Sequence, residues 1–141
     1  MRLTRYSDYS LRVLIHLAAH PRNFASISEI SDAFGVSQNH LMKVVQALAA
    51  AGWVETIRGR NGGLRLARAP EDINVGAVIR QTEEGFDLVD CGSCVIAPAC
   101  GLTGVLHEAT TAFLDVLDRY TLADLIVRRR KLVSLLGLDA G

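Results

Sequence analysis

Between Ser26 and Ala67 the chain reads as two short helices separated by a glycine and followed by a glycine-tipped pair of strands, an order that few folds accommodate. Ser26-Ile-Ser-Glu29 has the S-x-x-E form, in which the serine oxygen and the glutamate carboxylate reciprocally satisfy orphan amides, so a helix opens there and runs to Phe34. Gly35 makes the turn. Ser37 caps a second helix, Gln38 to about Ala51, whose Leu41, Val44, Val45 and Leu48 recur at helical spacing and face inward. Gly52 ends it in the left-handed conformation that glycine tolerates. Trp53 to Arg58 and Leu64 to Ala67 read as strands either side of Gly59-Arg-Asn-Gly-Gly63, where Asn61-Gly62 permits a tight tip.

A short helix, a glycine turn and a helix that begins with polar side chains form a helix-turn-helix, whose second helix enters a major groove. Ser37, Gln38, Asn39, His40 and Lys43 stand at the exposed start of that helix. Amide side chains there suit adenine edges, and a cation suits guanine or phosphate. The hairpin is then a wing. Arg58, Arg60, Arg65 and Arg68 load it with positive charge, and Asn61 sits at a tip narrow enough for a minor groove. A plain solvated basic hairpin accounts for the arginines, but not for their place directly behind a helix pair.

Charge restricts where a polyanion can bind. Fifteen Lys and Arg balance fifteen Asp and Glu over the whole chain, which argues against a generic polyelectrolyte binder. Residues 1–70 carry nine basic against four acidic residues (+5), and residues 71–141 carry six against eleven (−5). Any nucleic-acid surface is therefore local to the first half.

Outside this region, Leu3, Tyr6, Leu11, Leu14, Ile15 and Ala18 mark a helix over 3–20 that stops before Pro21. Asn74 caps a helix from Val75 to about Glu84. From Pro98 on, Leu102, Val105, Leu106, Ala109, Phe113, Val116, Leu117 and Tyr120 repeat at threes and fours, a long amphipathic helix that wants a partner. Thr121 caps a last helix, Leu122 to about Leu136, with Arg128-Arg-Arg-Lys131 on later turns, where cations suit the helix dipole and form a solvated face. The expected fold is mainly α with a small β-hairpin: a winged helix-turn-helix DNA-binding domain over 1–70, and a metal loop with a long dimerisation helix over 71–141.

That loop, Cys91-Gly-Ser-Cys94-Val-Ile-Ala-Pro-Ala-Cys100, holds all three cysteines in ten residues. Three thiols leave one over from any disulfide pairing. The chain shows neither an export signal nor a run of about eighteen apolar residues, so the expectation is a soluble, cytoplasmic protein with no membrane partner, where structural disulfides are rare. Metal or redox chemistry follows. Three thiolates are one short of a closed zinc site or a four-cysteine iron-sulfur cluster, so a fourth, non-cysteine ligand is implied. Glu83, Glu84, Asp87 and Asp90 crowd the approach, while Gly85, Gly92, Pro98 and Gly101 let the loop wrap a bulky inorganic core. Three ordinary buried cysteines would explain neither the clustering nor the glycines. An enzyme is not expected: Cys91-x-x-Cys94 lacks the strand-helix-strand setting of thiol oxidoreductases, and no Ser/His/Asp set or phosphate loop occurs.

Leu3-Thr-Arg-Tyr-Ser-Asp-Tyr9, Ser37-Gln-Asn-His-Leu-Met-Lys43, Arg58-Gly-Arg-Asn-Gly-Gly-Leu-Arg-Leu66, the cysteines and Tyr120-Thr-Leu-Ala-Asp124 together span nearly the whole chain. In these segments it resembles the winged-helix iron-sulfur transcription regulators, and among them the nitric-oxide-sensing repressors. The resemblance implies a homodimer that binds a palindromic operator in double-stranded DNA, represses while its cluster is intact, and lets go when nitric oxide attacks. It implies a four-iron four-sulfur or two-iron two-sulfur cluster on Cys91, Cys94 and Cys100. Asp8 of the partner subunit, in the matching Ser7-Asp8-Tyr9 segment, would be the fourth ligand; a plain surface acid on the first helix is the alternative. Only two residues separate Cys91 from Cys94, closer than the family pattern. Another branch, the regulators of iron-sulfur biogenesis, has a histidine just after its third cysteine, whereas His107 stands seven residues beyond Cys100 and reads as a helix-surface or dimer-interface residue. An iron- or redox-responsive regulator of the same family and a winged-helix regulator with structural zinc are the other readings.

Overall fold

The computed structural model describes residues 1–138; residues 139–141, the end of the acidic half, lie outside the described residues. Helix α1 (Arg5–Ala19) begins where Thr4 Oγ1 accepts from the Ser7 amide at 3.2 Å, and ends at His20, whose extended backbone is the conformation Pro21 imposes on its predecessor. Helix α2 (Ile27–Phe34) is capped by Ser26 Oγ, which accepts from the Glu29 amide at 3.1 Å. The reciprocal half of that capping box is a correction: the Glu29 carboxylate lies 3.8 Å from His20 Nε2, drawn to a tertiary partner. Gly35, at φ +66°, turns the chain into α3 (Gln38–Ala50).

Ser37 stands at the start of α3, but its hydroxyl makes no capping hydrogen bond; only its carbonyl is engaged, by the Leu41 amide at 3.1 Å. The expected side-chain cap is thus absent, and the first amides of α3 stay open to solvent or to an anion. Gly52, at φ +84°, releases the chain into strands β1 (Val54–Ile57) and β2 (Gly63–Leu66), antiparallel with Val54 opposite Leu66 and Ile57 opposite Gly63. Two backbone hydrogen bonds between Ala25 and Leu64, 3.0 and 2.7 Å, fasten the hairpin to the segment before α2. A side chain at Gly63 would collide there with the Ala25 carbonyl.

In the second half, Asn74 Oδ1 accepts from the Ala77 amide at 2.9 Å and starts α4 (Val75–Thr82). This helix is two residues shorter than the periodicity predicts, because Glu83 turns to extended backbone and joins a cluster on α1. Helix α5 (Leu102–Leu117) follows the cysteine loop. The single final helix expected from Leu122 to Leu136 is instead two, α6 (Leu122–Leu125) and α7 (Arg129–Leu135). Tertiary contacts override local propensity at the break. Ile126 packs on the core, and Arg129 donates to the carbonyls of Ala19 (3.2 Å) and His20 (3.3 Å) at the end of α1. The basic run therefore opens α7 rather than closing a helix, and one of its cations supports the C-terminus of α1.

Helix α1 is the centre of the core. Val13, Leu14 and Leu17 meet Ile30 of α2, Leu41, Val45 and Leu48 of α3, Leu64 and Leu66 of the hairpin, and Ile73, Val78 and Leu122 from the second half. Burying each large aliphatic side chain contributes about 1.5–3 kcal/mol.

Two buried polar side chains, Ser10 and His16, have no hydrogen-bond partner among the described residues. His16 is completely buried against His20 and Phe34, and neither ring nitrogen has a hydrogen-bond partner. Burial, then the nearby His20, holds its pKa down at about 4. The unfolded chain accepts at pH 6.5 a proton that the fold refuses, so His16 costs nothing extra above that pH, and stability falls as the pH drops towards 4. At 1.36 kcal/mol per unit the loss is about 3 kcal/mol. Urea unfolding of the His16→Leu variant should show that part of the pH slope gone and, with two unsatisfied nitrogens removed, higher stability at pH 7. An unchanged slope would contradict this assignment.

Candidate nucleic-acid interface and metal loop

Ser37, Gln38, Asn39, His40 and Lys43 are all exposed at the start of α3. The His40 ring stacks on Tyr9 of α1 at 6.5 Å and 29°, so α3 is braced at its first turn. Met42 and Gln46 are exposed on the same helix and were not singled out from the sequence. Gln46, three residues beyond Lys43 and seven beyond Asn39, continues their stripe, a signal that spacing alone offered.

At the wing tip the Gly62 amide bonds to the Gly59 carbonyl at 3.0 Å, with Gly59 at φ +112°. The tip is thus the four-residue turn Gly59–Gly62 rather than an Asn61-Gly62 pair, and Arg60 and Asn61 are its two central residues. Gly62 has no room for a side chain beneath the Ile57 carbonyl. Among the described residues Arg58 and Arg60 have no carboxylate partner. Arg65 differs: its Nε meets Glu55 Oε2 at 2.8 Å across the strands, which balances its charge. Arg68 lies over the Trp53 ring at 5.0 Å. Among the described residues the wing's arginines without a carboxylate partner are thus Arg58 and Arg60 towards its tip and Arg68 at its base.

The cysteine loop is a series of turns. Hydrogen bonds run from the Cys94 amide to the Cys91 carbonyl (3.3 Å), from Ala97 to Cys94 (3.3 Å) and from Cys100 to Ala97 (3.4 Å), so each cysteine opens or closes a turn. All three thiols are free, Cys94 exposed and the others half-buried. Cys91 Sγ lies 3.3 Å from Thr103 Oγ1 in the first turn of α5. A cavity of about 600 Å³ opens there, lined by Asp90, Cys91, Thr103, Leu106 and His107 among others. His107 thus shares a wall with Cys91, but not with Cys94 or Cys100.

Among the described residues no three His, Cys, Asp or Glu side chains converge on one metal-sized point. The donor set nevertheless suits an iron-sulfur group: three unpaired soft thiols on an accessible, turn-built loop, ending beside the N-terminus of a sixteen-residue helix, whose dipole favours negative charge. Asp8 is half-exposed on α1 and pairs with Arg12, Nε to Oδ1 at 2.8 Å.

No residue of α5 is buried in the single chain. Its apolar residues form two faces where the sequence pattern suggested one. Leu106, Leu114 and Leu117 are half-buried, while Leu102, Val105, Ala109, Phe113 and Val116, followed by Tyr120 just past the helix end, stand exposed at steps of three and four. Arg80 of α4 and Asp118 form a two-pronged ion pair that fixes the end of α5, with Nη2 to Oδ2 at 2.8 Å. No helix among the described residues is long and apolar enough to cross a membrane.

Residues 3–128 match the model of the Rrf2 family, described as iron-dependent transcriptional regulators. The chain is 54% identical over 143 residues to the HTH-type transcriptional regulator NsrR of Bacillus licheniformis, covering 95% of this chain and 100% of that protein. It is 52% identical over 144 residues to NsrR of Bacillus subtilis, covering 98% and 99%. Among solved structures it is similar to T. potens IscR (29% identity, TM-score 0.73, covering 89% of this chain and 86% of that one). It is also similar to CymR, the global cysteine regulator of B. subtilis (28% identity, TM-score 0.67, covering 89% and 95%). The family read from the sequence motifs is borne out, as is the expectation that the chain is not an enzyme. This chain belongs to the Rrf2 family and is a winged-helix transcriptional regulator.

Proposed function

We propose that the protein is a homodimeric repressor that holds an iron-sulfur cluster on Cys91, Cys94 and Cys100 and loses its operator when nitric oxide attacks that cluster. The observation that carries this reading is the joining of three unpaired thiols on a turn-built loop to a winged helix-turn-helix, in a chain about half identical to proteins named NsrR. When bound, such a cluster supplies iron sites open to a small diatomic ligand. Cys91, Cys94 and Cys100 would hold it, and Asp8 of the partner subunit would complete the ligand set. For that the carboxylate gives up Arg12, an exposed pair worth at most about 1 kcal/mol, so a metal bond displaces it readily. The oxygen is a weaker, more exchangeable ligand than a thiolate, which suits a sensor.

Gln38, Asn39, His40 and Lys43 read the major groove, Ser37 and the free amides of α3 approach a phosphate, and Arg58, Arg60 and Asn61 follow the neighbouring groove, with Arg65 at its edge. Two copies joined along the exposed stripe of α5 present two such surfaces to a palindrome. Arg60→Ala should lower operator affinity and reduce the slope of log affinity against log salt by about 0.9, the contribution of one phosphate contact. Fluorescence anisotropy between low and moderate salt reads both; an unchanged slope removes the wing tip from the interface. Anaerobic purification with iron and acid-labile sulfide analysis tests the cluster. Brown protein containing both supports it, and colourless protein containing only zinc rejects it.

A further inference from the structure

We propose that Glu83 is the positioning residue through which the state of the cysteine loop reaches the recognition helix α3 of the same subunit. The inference rests on the cluster-sensing reading and names its route. Glu83 is the first residue after α4, where regular structure gives way to the loop that leads to Cys91. Its carboxylate reaches back to the start of α1. It accepts from the Thr4 amide at 3.1 Å, from Thr4 Oγ1 at 2.5 Å and from Ser7 Oγ. Ser7 is completely buried, and its hydroxyl also meets Thr82 Oγ1 at 2.6 Å, so the junction runs from the exposed Thr4 inward to a buried hydroxyl pair. Burial pushes the Glu83 carboxyl up, and the hydrogen bonds from Ser7 and Thr4 outweigh it, leaving the group below its ordinary value and charged near neutral pH.

The residues gripped by Glu83 define the first turn of α1, because Thr4 is its N-cap and Ser7 donates its amide to that cap. Tyr9, two residues on, stacks on His40 in the first turn of α3, with the Arg12 guanidinium 5.9 Å from the Tyr9 ring centre. Loop, α1 and recognition helix are thus joined by one contiguous set of contacts: Glu83 to Thr4 and Ser7, then Tyr9 to His40. On its other side α4 is held to α5 by Arg80 and Asp118, so α4 is fixed and Glu83 is the place where movement of the loop is first felt. Adjacent Glu84 is exposed and makes no such bonds among the described residues, which provides a control of matching charge.

The test measures operator affinity of the full-length dimer with the cluster loaded and with it removed, for the unmodified protein, Glu83→Gln and Glu84→Gln. Cluster absorbance is followed in parallel. The unmodified protein and Glu84→Gln should bind about tenfold or more tightly when loaded, within the range of ordinary site-to-site coupling. Glu83→Gln should keep the cluster absorbance while the ratio of loaded to empty affinity collapses to within about threefold. A role confined to capping α1 would instead lower both affinities by the same factor, and that outcome overturns the proposal, as does an unchanged ratio. Where Glu83→Gln does not fold, Thr4→Val removes one donor, leaves the Ser7–Thr82 pair in place and should shrink the ratio in the same direction; failure to do so counts equally against it. Equal loaded and empty affinities in the unmodified protein would sink the cluster-sensing reading itself. A large ratio that Glu83→Gln preserves would sink the Glu83 route alone.

Discussion

A glutamate in place of Val116 should convert the protein to monomers and lower operator affinity by about a hundredfold or more, because one chain then engages one half-site without the effective concentration of the second. The expectation comes from α5, sixteen residues with none buried and an apolar stripe facing away from the rest of the chain. In the proposed dimer a second copy of the same helix, related by a two-fold axis, would cover that stripe with an identical one. Val116 lies midway between Phe113 and Tyr120, where a carboxylate would lose its water and gain no partner, at a cost of several kcal/mol. Sedimentation and operator titration check both halves of the expectation. A Val116→Glu protein that remains dimeric and binds as before would show that the stripe has another use.

The second large effect concerns the cysteines. Replacing Cys91, Cys94 or Cys100 singly by serine exchanges a soft thiolate for a hard hydroxyl on a set already one thiolate short of four, and each change should abolish the cluster. Operator affinity should fall with it by about five- to 150-fold, the span of typical coupling energies. Asp8→Ala should behave differently, keeping a cluster on its three thiolates while altering its stability or its reaction with nitric oxide. Iron and sulfide content beside mobility-shift affinity separates the two classes of variant. Serine variants that retain iron, or that lose it and still bind like the loaded protein, would make the loop structural.

Much of this was legible in the sequence because its signals are local. Ser26, Asn74, Gly35 and Gly52 act through neighbours within a few residues, and the structure places the first two at helix starts and the glycines at left-handed turns. The glycines at 59, 62 and 63 likewise marked the hairpin. The misreadings arise where a distant partner wins. Glu29 leaves its capping box for His20, and Arg129 breaks a helix to reach carbonyls 109 and 110 residues away. Glu83 appeared only as one of several acids near the cysteines, since its tie to Thr4 spans 79 residues and has no sequence signature. On α5 the spacing revealed apolar residues but could not divide them between a face on α4 and a face turned outward.

In the proposed mechanism the cluster on the cysteine loop sets affinity for DNA. The most direct test is an anaerobic titration of the operator complex with nitric oxide, following cluster absorbance and DNA release in one sample. DNA should be released in step with the loss of cluster absorbance, and protein already stripped of its cluster should bind weakly and not respond. Operator binding that persists unchanged after the cluster absorbance has gone would contradict that mechanism.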